Sequence, residues 1–229
     1  MLRLPENGSA YPPENHKHIF RVYQEHNAWH SGDPAVLRKT YADVPQDYRP
    51  RRYMFWTRKG ATELQIDRHQ IHVPLAGDIA QTSSDLLFSE APSFIVKDKD
   101  ASDSDVVNTQ DNLDELLRQC GLKNKLLEAG ETSSALGGVF LRLVWNTEFM
   151  KYPTIQVVSP DRAIATFMYG KMVAVGYVTE YDSSDGQDYY RHIEHHEDGL
   201  IHHALYQGTK TNIGNRVELT KLQETADLQ

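Results

Sequence analysis

The stretch "RHIEHHEDGLIHH" gathers His192, His195, His196, His202 and His203 within thirteen residues. Neutral imidazole is the commonest protein ligand for a transition metal. Glu197-Asp198-Gly199 reads as a hairpin turn, so the strands on either side come together. Alternate side chains share a face of a strand, which puts His192 and His196 on one side and His195 on the other. With His203 from the returning strand, His192, His196 and His203 are candidate ligands for zinc or a related ion. The zincin pattern H-E-x-x-H does not apply, because Leu200 stands where its second histidine belongs. One reading is therefore a metal-binding hydrolase on the His192–His203 hairpin. The other is a polar face on an antiparallel sheet with one side toward water, which requires no ion.

Other chemistry is tested by spacing in the same way. "ETSSALGGVFLRLVWN", Glu131 to Asn146, sets small polar residues and two glycines before an apolar run. A phosphate-cradling loop needs Gly, four residues and then Gly-Lys-Ser/Thr. Gly170-Lys171 is followed by Met172, with Ala165 at the first glycine position, and Gly137-Gly138 has no lysine after it. A nucleophile elbow presents its serine on a strand-to-helix turn between two glycines. Ser133 and Ser134 precede a strand instead, and neither glycine is in place. Gly137-Gly138 reads as the joint where a helix ends and a strand begins. In "DKDASDSD", counted from Asp98 as an EF-hand loop, Asp103 replaces the turn glycine and Thr109 the bidentate glutamate. No catalytic residue and no cofactor are expected.

"YRPRRYMFWTRK" interleaves Arg49, Arg51, Arg52, Arg58 and Lys59 with Tyr53, Phe55 and Trp56. Cations beside aromatic rings are the composition of a single-strand-binding surface. Arg51, Arg52 and Arg58 are the candidate nucleic-acid contacts, and a small nucleic-acid-binding adaptor is a further alternative. The net charge of −8 opposes a chain that clamps duplex DNA over its whole surface.

The 229 residues suffice for one large or two small domains. An apolar fraction of 39% with 24% charged residues suits an ordinary soluble protein. Cys120 is the single cysteine, so no intrachain disulfide forms and a reducing compartment is expected. Met1 to Ala10 lacks the apolar stretch of a signal peptide. No run reaches the ~18 apolar residues of a membrane span, and no membrane association is expected.

These side chains must be positioned by helices first and strands second. Pro13 to Gly32 is expected to be a helix, with Ile19, Val22, Tyr23, His26 and Trp29 at helical spacing. A short second helix follows, with Asp33 as its cap and Pro34 at its first position. "ELQIDRHQIHV" is expected to be extended. "PLAGDIAQTSSDLLFSEAPSF" is read as a helix with Leu75, Ile79 and Leu86 on its buried side, stopped before Pro92. Leu86, Leu87 and Phe88 are consecutive and cannot all face one core, so one of them, with Phe88 the residue to test, is expected at an interface. Residues 97–111 are read as an acidic surface loop. Asn112 and Glu115 form a capping box for the next helix, which Gly121 breaks. From Val139 six short β-rich runs separated by turn signals form an antiparallel meander, with Tyr169-Gly170-Lys171 as another hairpin turn. The class is α+β, N-terminal helices followed by an antiparallel β meander.

Three stretches together resemble the portal proteins, the head-to-tail connectors of tailed bacteriophages, in particular the siphovirus type. "IHVPLAGDIAQTSSDLLFSEAPSF" is similar to the family's apolar helix with its "LLF-x-E-x-P" signature. "ETSSALGGVFLRLVW" resembles its helix-to-strand joint. "VVSPDRAIATFMYGKMVAVGYVTEY" carries "SPD" before a strand hairpin, and "YRHIEHHEDGLIHHALYQGT" continues the match. The resemblance implies a structural virion protein and not an enzyme. It implies a homo-oligomer, dodecameric in the family, forming the ring through which double-stranded DNA is packaged and ejected. Terminase motor, capsid and head-completion proteins are the implied partners, in the virion and, during assembly, in the host cytoplasm. A prophage origin also fits.

The resemblance implies that family members run on into a stem, clip and crown, which are expected to be absent from these 229 residues, so that a truncated subunit is one reading. Residues 1–229 are therefore expected to form the N-terminal, wing-like portion of such a protein. Within it, 1–60 is the N-terminal helical segment, 61–138 the mixed helical part, 139–208 the antiparallel sheet and 209–229 a C-terminal tail.

Overall fold

A computed structural model describes residues 4–42, 73–97, 102–148, 150–182 and 189–228. The basic and aromatic segment and the extended "ELQIDRHQIH" that follows it lie outside the described residues. Helices come first and antiparallel strands second, so the chain is α+β as its sequence pattern indicates.

Helix α1, Lys17–Ser31, follows a short 3-10 turn and stops at Gly32, whose φ of 64° is the left-handed conformation that ends helices. Helix α2, Pro34–Ala42, starts where expected, with Asp33 Oδ1 accepting the Ala35 N–H at 2.8 Å. Helix α3, Leu75–Phe88, packs on α5, Leu122–Leu136, and more lightly on α1. Gly137, with φ 79°, closes α5 by donating its N–H to the Ser133 carbonyl. The two glycines of the joint thus serve the helix-to-strand change, as their position suggests.

Helix α4 corrects the sequence reading. It spans Asp103–Gln119, most of the stretch expected to be a loop, and Ser102 rather than Asn112 is its cap. The Ser102 hydroxyl accepts the Asp105 N–H at 3.3 Å, and acidic residues in a first turn favour the helix dipole. Glu115 bonds Arg118 and Gln119 instead of closing a capping box. The apolar stripe is hidden because one of its half-buried positions, between Val106 and Leu113, is Gln110. Its amide accepts from Val96 N at 2.8 Å and donates to the Phe94 carbonyl at 2.9 Å, tying the preceding segment to the helix.

The expected single meander is two sheets. Strands β1, Phe140–Val144, and β2, Thr154–Val158, form an antiparallel ribbon. Strands β3 (Ala163–Met168), β4 (Lys171–Asp182), β5 (Tyr189–Glu197), β6 (Leu200–Thr209) and β7 (Asn212–Val217) form a five-stranded sheet in chain order. The sheet therefore continues past residue 208. Strand β7, "NIGNRV", carries Gly and Asn where β-formers are usual, and its approach to β6 depends on two glycines. A Cβ on Gly214, at φ 79°, would lie 1.9 Å from the Gln207 carbonyl oxygen.

One face of the large sheet, with Ile164, Val178, Ile193, Ala204, Tyr206 and Ile213, is covered by Phe20 of α1. The other meets the ribbon, where Val158 packs with Ala163, Val175 and Tyr177. Each buried Ile, Val or Phe among them contributes roughly 1.5–3 kcal/mol.

Candidate functional site

The histidines occupy both faces of β5 and β6. Register sets Tyr177 of β4 opposite Glu194 of β5, and Glu194 opposite His203 of β6. Glu194 is the centre of the ribbon-side face. Its Oε1 lies 2.9 Å from Arg142 Nη1 of β1 and 2.5 Å from His196 Nε2. The Arg142 guanidinium sits 5.1 Å above the Tyr177 ring, and His196 meets the edge of that ring at 5.2 Å. Next to this group, His192 Nε2 and His203 Nδ1 are 3.1 Å apart with rings parallel within 1°.

Charge follows from these contacts. Burial, then the neighbouring His203, hold His192 below the usual histidine range. Burial pushes the Glu194 carboxyl up, but the His196 hydrogen bond and Arg142 outweigh it and the net shift is down. Glu194 is thus an ionised carboxylate held between two donors.

His192, His196 and His203 do share a face, as the strand period requires. They do not converge. His192 and His196 are four residues apart, about 13 Å along a strand. Leu205, not a histidine, lies opposite His192 in the register. His192 is committed to His203, and His196 to Glu194. Among the described residues no three His, Cys, Asp or Glu side chains are arranged to hold a metal ion. The network instead clamps the ribbon to the large sheet.

On the opposite face His195 lies over Gly176, its Nε2 without a hydrogen bond among the described residues and 3.9 Å from Glu197 Oε1, which His202 approaches at 3.6 Å. Arg51, Arg52 and Arg58 lie outside the described residues. A cleft of about 370 Å³ opens where α1, α5 and the ribbon meet. Of its charged groups, Arg142 is engaged with Glu194, Glu128 with Lys125 and Asp161 with the Ser159 hydroxyl.

Two features were not singled out as functional from the sequence. Arg191, 1% exposed, holds the β6–β7 turn through the Thr209 and Lys210 carbonyls at 2.6 and 2.9 Å and pairs with Glu180 at 2.9 Å. Only its strand position would have pointed inward. The second is the outward apolar side of α3. Leu75, Ile79 and Leu86 are 60%, 65% and 80% exposed, against the expectation that they are buried. The inner side is built from Gly77, Ala80 and Ser84, with Gly77 against the His30 carbonyl of α1 and Gly130 of α5 facing Ser84. Ser84 donates to the Leu127 carbonyl at 2.5 Å. Small residues let the helices approach closely, so the large ones are left outside. Phe88 turns in against Gly130, whereas Leu86 and Leu87 point out. The interface expectation therefore moves from Phe88 to its two neighbours.

The histidine network thus ties together the two sheets of an α+β fold, and among the described residues the large apolar side chains of α3 face outward. A family model described as "Phage portal protein, SPP1 Gp6-like" matches residues 13–225, and the chain belongs to that family. No curated protein and no solved structure matches the chain. The family is structural and non-enzymatic, and its members are virion components that assemble as oligomers with capsid and packaging machinery. Among the described residues no helix is long and apolar enough to cross a membrane.

Proposed function

We propose that this chain is a subunit of the portal ring at one capsid vertex, through which double-stranded DNA enters during packaging and leaves at ejection. The family match over 13–225 carries the reading. The outward apolar face of α3 fits it, since such a face on a lone subunit is a liability and on a ring member a contact. The α+β body corresponds to the outer, wing-like portion, and its surfaces serve subunit packing. The terminase motor, capsid and head-completion proteins are its partners, and the subunit hydrolyses nothing itself.

The test is assembly. The full chain, purified and measured by light scattering and electron microscopy, is expected to form closed rings of uniform subunit number, twelve by family resemblance. A chain that stays monomeric at every concentration up to precipitation would contradict the proposal.

A further inference from the structure

The turn joining β3 to β4 is built in an unusual way. Tyr169 and Gly170 have φ of 51° and 78°, the pair of left-handed residues of a type I′ turn. Glycine and asparagine take that conformation readily, whereas a bulky aromatic residue is strained in it. The Tyr169 side chain is 102% exposed, so packing within its own chain offers no compensation. A register shift between Thr166 and Phe167 pairs Phe167 with Met172 at the base of the turn. Both are at least half exposed, as is Met168. The result is a protruding apolar tip with an aromatic residue at its end, the composition of an interface anchor. Strain and exposure combined at one residue point to a contact outside the chain.

We propose that this tip seats on the outward face of α3 of the next copy of the same chain. The inference rests on the reading of the chain as a portal subunit, because the occupant is a second copy. Head-to-tail association, which closes rings, needs two unlike patches that fit each other. The tip is convex, and Leu75, Ile79 and Leu86 form a stripe along a helix. Charge fits as well. Lys171 is the single charged residue in "FMYGKMV", whereas residues 73–96 hold Asp78, Asp85 and Glu90 with no basic residue. An apolar basic tip thus faces an apolar acidic helix.

Two full-length variants test the pairing by light scattering: a tip variant, Tyr169→Asp with Met172→Asp, and a face variant, Ile79→Asp. Each alone is expected to weaken self-association at least about 30-fold and run as a monomer. Mixed one to one, they are expected to give a dimer and nothing larger, since one intact tip and one intact face remain. Either variant assembling like the wild type, or a mixture that stays monomeric, overturns the pairing. Charge reversal checks it with milder changes. Lys171→Glu is expected to weaken assembly, and mixing it with Asp78→Lys/Asp85→Lys to recover part of it; no recovery counts against the contact. Wild-type rings that persist in both variants would sink this inference alone. A wild-type chain that never assembles would sink the portal reading with it.

Discussion

A guanidinium with 1% exposure survives burial only where its donors are met and its charge is balanced. Arg191 satisfies both conditions. It bonds Glu180 and two turn carbonyls, and it lies against the rings of Tyr11 at 4.0 Å and Tyr189 at 4.5 Å. A lysine offers a point charge and no planar fork. Arg191→Lys is therefore expected to destabilise by several kcal/mol, and Arg191→Ala by about 3–5 kcal/mol, both read from urea unfolding. A lysine variant of wild-type stability would refute the role given to the fork. His192 acts through pH. Its folded pKa lies below the ordinary 6.5, so the unfolded chain takes up a proton first as pH falls. Its contribution is complete above that value and declines below it. His195, shifted down by burial, adds the same sign. The urea midpoint is expected to drop as pH falls below about 6.5, and a His192→Gln/His195→Gln variant to show a flatter profile. Equal slopes in the two proteins would rule the histidines out as the cause.

At the scale of elements, α3 shows why periodicity alone misplaced a face. The spacing of Leu75, Ile79 and Leu86 identified a helix correctly, but a period says which residues share a side and not which side is inside. Gly130 decided that. A Cβ there would stand 2.8 Å from Ser84 Oγ and 3.0 Å from the Phe88 ring. Helix propensity by itself makes alanine better than glycine by about 0.8–1 kcal/mol. The close packing reverses the sign, and Gly130→Ala is expected to destabilise by about 1–2 kcal/mol. A variant more stable than wild type in thermal melts would show that the helices can move apart. Leu86→Lys, by contrast, is expected to leave the stability of the isolated subunit within about 0.5 kcal/mol. The strand-forming runs from Phe140 to Thr209 and two of the hairpin turns were legible because alternation and turn residues agree there. The start of α4 was not, since Gln110 interrupts the stripe for the sake of the Phe94 and Val96 backbone. Strand β7 was not either, because its place depends on glycine contacts with β6 that no local pattern records. The histidine face was half legible: the sharing of a face follows from the strand period, the partners only from the register.

For the whole molecule, the N-terminal segment matters as much as any helix. Residues 7–11 run beside β7: Gly8 donates to the Gly214 carbonyl, Ile213 to Ser9 and Tyr11 to Thr211, at 2.8, 2.9 and 3.0 Å. Tyr206 Oη reaches the Pro5 carbonyl from the core at 2.8 Å. Removal of residues 1–12 is expected to strip hydrogen-exchange protection from β7 and lower the melting temperature. Protection that persists in β7 would show the seam to be incidental. A covered β7 also gives the large sheet a direction. Among the described residues, β3 is the outer strand that still offers backbone for another strand, and it is interrupted at Thr166 and Phe167. Two stray copies joined along β3 would leave the large sheet no further edge among the described residues, so strand addition to that sheet stops at a pair. A subunit of a family that assembles as oligomers is thereby spared one route to non-specific association.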